Sequence, residues 1–156
     1  MHSTLLHNIE SFLTKNPVTQ IGLDWVCAEL QQKLPHYNWV GFYFHHPVKK
    51  ELYLKAFAGN PTDHTVIPFG KGICGQVAIS NKNFVVDDVS EQDNYIACSI
   101  EVKSEIVVPL FFDGKNVGQI DVDSNTPSAF NKKDEKFLEN VNALVSTFLM
   151  RNNAQF

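Results

Sequence analysis

The chain has 156 residues, 44% of them hydrophobic and 19% charged, with a formal net charge of −4. That length supports one domain with a real core, and the composition is that of a globular rather than a disordered chain. No basic patch runs along it, which argues against nucleic acid as a partner, and no apolar run approaches the roughly 20 residues of a membrane span. The start, Met1-His2-Ser3-Thr4, lacks the basic and apolar segments of a signal peptide, so the expected location is the cytoplasm. Three cysteines, Cys27, Cys74 and Cys98, are an odd number without zinc spacing. That argues against a secreted disulfide scaffold, and in a reducing compartment any bridge that forms is expected to be transient.

Leu5, Leu6, Ile9, Phe12 and Leu13 recur at helical spacing and predict a helix over 3–15, closed by Asn16-Pro17. A second helix is predicted over 19–34 and ends at Pro35. Cys27 lies inside it beside Val26 and Ala28, and the plain reading of that thiol is a small buried hydrophobe. Residues 39–44 alternate as a strand: Val40, Phe42 and Phe44 face the expected core, while Trp39, Gly41 and Tyr43 face the other way. A glycine between two large side chains is expected to leave a notch for a ligand or a second backbone. The competing reading is a second packed face with a gap. His45-His46, before Pro47, reads as a solvated turn rather than a metal pair, because adjacent side chains on a turn do not converge on an ion. A strand follows over 51–57. Residues 58–70 hold several glycines and prolines and read as one long loop, of the kind that often acts as a lid.

Gly70-Lys71-Gly72-Ile73-Cys74-Gly75 opens a helix that runs to Ser80-Asn81. It completes no phosphate-loop pattern. Cys74 falls in the first helical turn, where the helix dipole is expected to lower the thiol pKa and favour the thiolate. Residues 84–86 are a short strand, 87–94 an acidic loop, and Tyr95-Ile96-Ala97-Cys98 a loop or turn. Residues 104–112 and 116–123 form a hairpin about Asp113-Gly114. On its second arm Val117, Gln119, Asp121 and Asp123 share a face. Carboxylates two residues apart on one face repel, so the pair is either solvated or lines a pocket that needs a cation. The last helix covers 131–150, with Asn131 placed to cap it and Asp134-Glu135 in its first turn. Helices at both ends around antiparallel hairpins describe an α+β domain: one central, mostly antiparallel sheet with the N- and C-terminal helices packed on one side.

Five stretches carry a narrower signal: Asn38-Trp39-Val40-Gly41-Phe42-Tyr43, Gly70-Lys71-Gly72-Ile73-Cys74-Gly75, Ile96-Ala97-Cys98, Ser104-Glu105-Ile106-Val107-Val108-Pro109 and Ile120-Asp121-Val122-Asp123-Ser124. In this order and spacing they resemble the free methionine-(R)-sulfoxide reductases, which are single-domain GAF proteins. The resemblance implies one GAF domain over 1–156, with N-terminal helices at 3–34, a core over about 38–124 and a C-terminal helix at 131–150. It implies that Cys98 is the catalytic cysteine and Cys74 a cysteine that resolves it by disulfide formation. Trp39 and Tyr43 match the aromatics of the substrate pocket. Glu105, Asp121 and Asp123 match carboxylates that bind substrate and assist the chemistry. No metal or organic cofactor is implied. The reductant would be thioredoxin or a similar dithiol, and the ligand free methionine sulfoxide or a similar small zwitterion; a homodimer stays open. The sequence departs from the family pattern at one place. A third cysteine expected before the glycine-rich stretch is replaced by His64, in Thr62-Asp63-His64-Thr65. Two further readings therefore stand beside the enzyme: a non-catalytic GAF module that binds a small molecule, and a redox sensor switched by a Cys74–Cys98 disulfide.

Overall fold

The computed structural model describes residues 1–92 and 101–154. In chain order its elements are α1 (His2–Lys15), α2 (Thr19–Lys33), β1 (Trp39–His45), β2 (Glu51–Ala58), β3 (Val66–Pro68), α3 (Gly72–Ser80), β4 (Phe84–Val86), a single 3-10 turn (Val89–Glu91), β5 (Ser104–Phe112), β6 (Lys115–Ser124) and α4 (Lys132–Arg151). The strands form one six-stranded sheet in the order β3-β2-β1-β6-β5-β4, with every neighbouring pair antiparallel. None of the helices among the described residues is long and apolar enough to cross a membrane.

The core sits between one sheet face and the terminal helices. Leu5, Ile9 and Leu13 form the buried stripe of α1, and Phe137, Leu138, Val141, Val145 and Phe148 that of α4. These residues pack with Val40, Phe42, Phe44, Ile106, Val108, Ile120 and Val122 from the sheet, and with Cys27 from α2. Cys27 is fully buried, and burial raises its thiol pKa, as suits a packing residue. Each large side chain buried here, such as Phe42, contributes roughly 1.5–3 kcal/mol of transfer free energy. The Arg151 guanidinium donates to the Leu13 carbonyl at 2.9 Å, so the end of α4 satisfies the open end of α1. Asn131 caps α4 in a full capping box with Asp134. The Asp113-Gly114 turn has positive φ at both residues, 52° and 77°, the geometry that matches strand twist in a two-residue hairpin.

Two expectations need correction and one is extended. Residues 58–70 are not one loop: Ala58 ends β2, and β3 pairs with it through Leu52 and Ile67. β3 is the sheet edge, where Pro68 can sit because no further strand needs its missing N–H. The N- and C-terminal helices do pack on one side, and α3 is added on the opposite face, with Ile73, Cys74 and Val77 packed against Trp39, Tyr43 and Val107. Finally, His45 is the last residue of β1 and is half-buried with its ring against Phe69, not a solvated turn residue. His46 does serve the turn, since its Nδ1 accepts from the backbone N–H groups of Val48 and Lys49.

Candidate active site

The second face of β1, β6 and β5 carries the chemistry. Strand alternation puts every other residue there, and the register lines those residues up across the sheet. Trp39 lies opposite Asp123, which lies opposite Glu105. One row along, Gly41 lies opposite Asp121 and Asp121 opposite Val107. The next row pairs Tyr43 with Gln119. The three carboxylates are therefore neighbours although Glu105 is remote from the others in sequence. All are buried: Glu105 is 5% exposed, Asp121 2% and Asp123 1%. The solvated-face reading of the Asp121/Asp123 pair is excluded.

α3 closes over this row. Cys74, in its first turn, donates from Sγ to Asp121 Oδ2 at 3.2 Å and lies 3.9 Å from Glu105 Oε2. Gln119 Nε2 donates to the Cys74 carbonyl at 3.1 Å and pins that turn to β6. Gly75 is needed for the close approach, because a Cβ there would stand 2.7 Å from the Pro68 carbonyl. The segment 59–65 between β2 and β3 forms another wall. Trp39 Nε1 donates to the Asn60 carbonyl at 3.0 Å, and the Tyr43 hydroxyl donates to the His64 carbonyl at 2.8 Å. Between these parts lies a cavity of about 10 Å³ lined by Tyr43, His64, Gly72, Cys74, Glu105 and Asp121, among others. That is room for about one water. A larger groove of about 520 Å³, lined mainly by apolar side chains such as Leu23, Phe44 and Leu149, lies on the other side of the sheet and gathers no such cluster.

The electrostatics reverse one expectation. The Cys74 thiol is pushed well above its ordinary pKa, first by burial and then by the negative charges of Asp121 and Glu105. The helix N-terminus, with about half a unit of positive charge, does not outweigh carboxylates in contact with the sulfur. Cys74 is a protonated hydrogen-bond donor, not a ready thiolate. Asp121 is also raised, mainly by burial, with partial offset from hydrogen bonds to Glu105 and Cys74. Burial thus favours the protonated form of Asp121, beside the Glu105 carboxyl.

Of the site residues expected from sequence, Cys74, Glu105 and Asp121 meet at the thiol, and Asp123 lies opposite Glu105 in the sheet. Tyr43 lines the cavity. Trp39 stands beside it, its indole laid over Gly41 and stacked on Phe57. A Cβ on Gly41 would fall 2.3 Å from that ring, so the expected notch is filled by the protein's own tryptophan. Cys98 lies outside the described residues. Gln119 was not expected as a site residue, although its place in the Asp121/Asp123 alternation is a usable signal. His64, where the resemblance led to the expectation of a third cysteine, lines the same cavity as Cys74.

A six-stranded antiparallel sheet with terminal helices on one face and a small polar cavity under a short helix on the other defines a class, and the family model named GAF domain matches residues 18–150. A free methionine-R-sulfoxide reductase of Escherichia coli is 34% identical over 78% of this chain and 72% of its own. Protein YtsP of Bacillus subtilis is 41% identical over 88% and 83%. The structure of free methionine-R-sulfoxide reductase from Neisseria meningitidis in complex with its substrate superposes with a TM-score of 0.92 at 34% identity, covering 97% of this chain and 90% of that one. The chain belongs to the GAF domain family and, within it, to the free methionine-R-sulfoxide reductases.

Proposed function

We propose that this chain reduces free methionine-(R)-sulfoxide to methionine at the expense of a dithiol. The observation that carries the reading is the buried row of Glu105, Asp121 and Asp123, the first two in contact with the Cys74 thiol. Such a row suits the ammonium group of a free amino acid, which a residue within a peptide lacks. It also holds a proton for the sulfoxide oxygen.

The proposed sequence balances as follows. Cys98, assigned by resemblance, attacks the sulfoxide sulfur as its thiolate while the Glu105/Asp121 pair protonates the oxygen. Methionine leaves, and the oxygen stays on Cys98 as a sulfenic acid. Cys74 then attacks that sulfur. Its proton passes by way of Asp121, to which it is already bonded, to the departing hydroxyl, and water leaves as the Cys74–Cys98 disulfide forms. A thioredoxin-type dithiol restores both thiols by exchange. A thiol held protonated until its carboxylate partner accepts the proton suits the resolving role better than the attacking one. A cavity of about 10 Å³ is too small for an amino acid, so entry requires a wall to move; segment 59–65, held by two side-chain hydrogen bonds, is one of those walls.

A second reading is a binding or redox-sensing GAF module without turnover. It is favoured by His64 at the third cysteine position and by the raised pKa of Cys74. The test is a thioredoxin-coupled assay with free methionine-(R)-sulfoxide, its (S) epimer and the N-acetylated (R) form, on wild type and Cys98→Ser. Turnover of the free (R) form alone, lost in the variant, is the expected result. No turnover with thioredoxin or a chemical dithiol would leave the binding module.

A further inference from the structure

We infer that the Cys74–Glu105–Asp121 cluster is a site for a thiophilic divalent cation such as Zn²⁺. Sγ of Cys74 and one carboxylate oxygen each from Glu105 and Asp121 all lie within 4.8 Å of one another, and all three residues are buried. In a tetrahedral zinc site with Zn–S of about 2.3 Å and Zn–O of about 2.1 Å, sulfur and oxygen ligands stand about 3.6 Å apart. The two sulfur–oxygen separations here, 3.2 and 3.9 Å, bracket that edge. The sulfur therefore stands at ligand spacing from both carboxylates, and the three donor atoms lie close enough together to face one ion.

A second observation points to a ligand rather than to a packed acidic patch. Oδ1 of Asp121 is buried and meets no hydrogen-bond donor among the described residues, and Asp121 forms part of the wall of the cavity. A buried carboxylate oxygen without a donor is unfavourable unless a cation or proton meets it. The cavity is the size of one water, room for a bare ion but not for an amino acid.

Binding replaces the S–H bond of Cys74 by a metal–sulfur bond and releases that proton to solvent; nothing is oxidised or reduced. Asp121 and Glu105 supply the remaining protein ligands, and a water or further donor takes the fourth position. A thiolate so bound cannot attack a sulfenic acid, and carboxylates so bound cannot take an ammonium group. The metal form is thus an inactive state reversed by chelation. The metal site stands on the donor geometry alone, whereas the inactivity of the metal form rests on the reductase reading.

The test uses the reduced full chain with Zn²⁺, and with Co²⁺ as a spectroscopic substitute, in a buffer that does not bind metal. The expected result is a retained ion after desalting and a near-ultraviolet thiolate-to-cobalt band with tetrahedral visible bands. Cys74→Ser abolishes the thiolate band. The isosteric Asp121→Asn weakens affinity by at least the roughly 10–100-fold seen when even outer-shell groups are lost. Cys27→Ser and Cys98→Ser keep the band. Circular dichroism of each metal-free variant separates lost binding from lost fold. No retained metal at micromolar concentrations, or a thiolate band that survives Cys74→Ser, overturns the assignment. Neither result bears on turnover, which is measured without metal.

Discussion

Val122 and Asp123 are adjacent on β6 and are buried alike, 0% and 1% exposed. They point to opposite faces of one sheet. On the Val122 face, α1, α2 and α4 bury aliphatic and aromatic side chains. On the Asp123 face, α3 and segment 59–65 cover carboxylates, a thiol and a cavity. The first face stabilises the fold through area removed from water. The second gathers like charges out of water, an arrangement that opposes stability and is retained where it serves chemistry. Substitutions should therefore separate the two properties by face.

The largest separation is expected at Asp121. Asp121→Asn keeps the shape and removes both a charge and a transferable proton. Turnover of the free sulfoxide should fall about 10²–10⁴-fold, the usual weight of general acid–base catalysis, while urea unfolding shows equal or higher stability. A matched loss of both would break the comparison. Phe42→Ala acts on the other face. It should lower stability by about 3–5 kcal/mol, and the melting temperature by roughly 10 °C for a chain of this length. Well below the melting point the KM for substrate should stay as it was.

Asn131→Ala should remove about 1 kcal/mol by opening the α4 capping box, read as a shift of a few degrees at most with unchanged kinetics. The neighbouring Asp134 keeps its hydrogen bond from the Tyr37 hydroxyl, which limits the loss. The smallest effect concerns His45, whose pKa burial lowers from 6.5. The unfolded chain then binds the proton more readily, so stability falls as pH drops from about 6.5 toward the folded value and is level above it. His45→Phe keeps the ring against Phe69 and removes the proton site. Chemical unfolding of both proteins between pH 5 and 8 should show wild type losing ground to the variant only below about pH 6.5.

Much of this division could be read from sequence. The alternation of Trp39–Phe44 and of Asn116–Asp123 separates the faces without any knowledge of the third dimension, because a strand has a period of two. Asp113-Gly114 and Asn131 announce a turn and a cap through local chemistry alone. β3 escaped notice because three residues ending in proline show no period. The side of the sheet covered by α3 escaped because its nine residues are buried nearly all round, with Ile73, Cys74, Val77 and Ala78 leaving no clear stripe. The acidity of Cys74 was misread for a different reason. Its helical position is local, but Glu105 and Asp121 stand 31 and 47 residues away and decide the sign. The filled notch at Gly41 depends on the rotamer of Trp39, which the stacking on Phe57 and the bond to Asn60 select.

The central claim is that the acidic face is a thiol-redox site in which Cys74 resolves an intermediate on Cys98. The most direct measurement is mass spectrometry of the reduced protein mixed with an equivalent of free methionine-(R)-sulfoxide and no reductant. Wild type should yield a Cys74–Cys98 disulfide with methionine as product, and Cys74→Ser should yield a sulfenic acid trapped on Cys98 by a dione reagent. If both cysteines stay reduced while the sulfoxide is bound and released unchanged, the site is a binding pocket and the redox account is wrong.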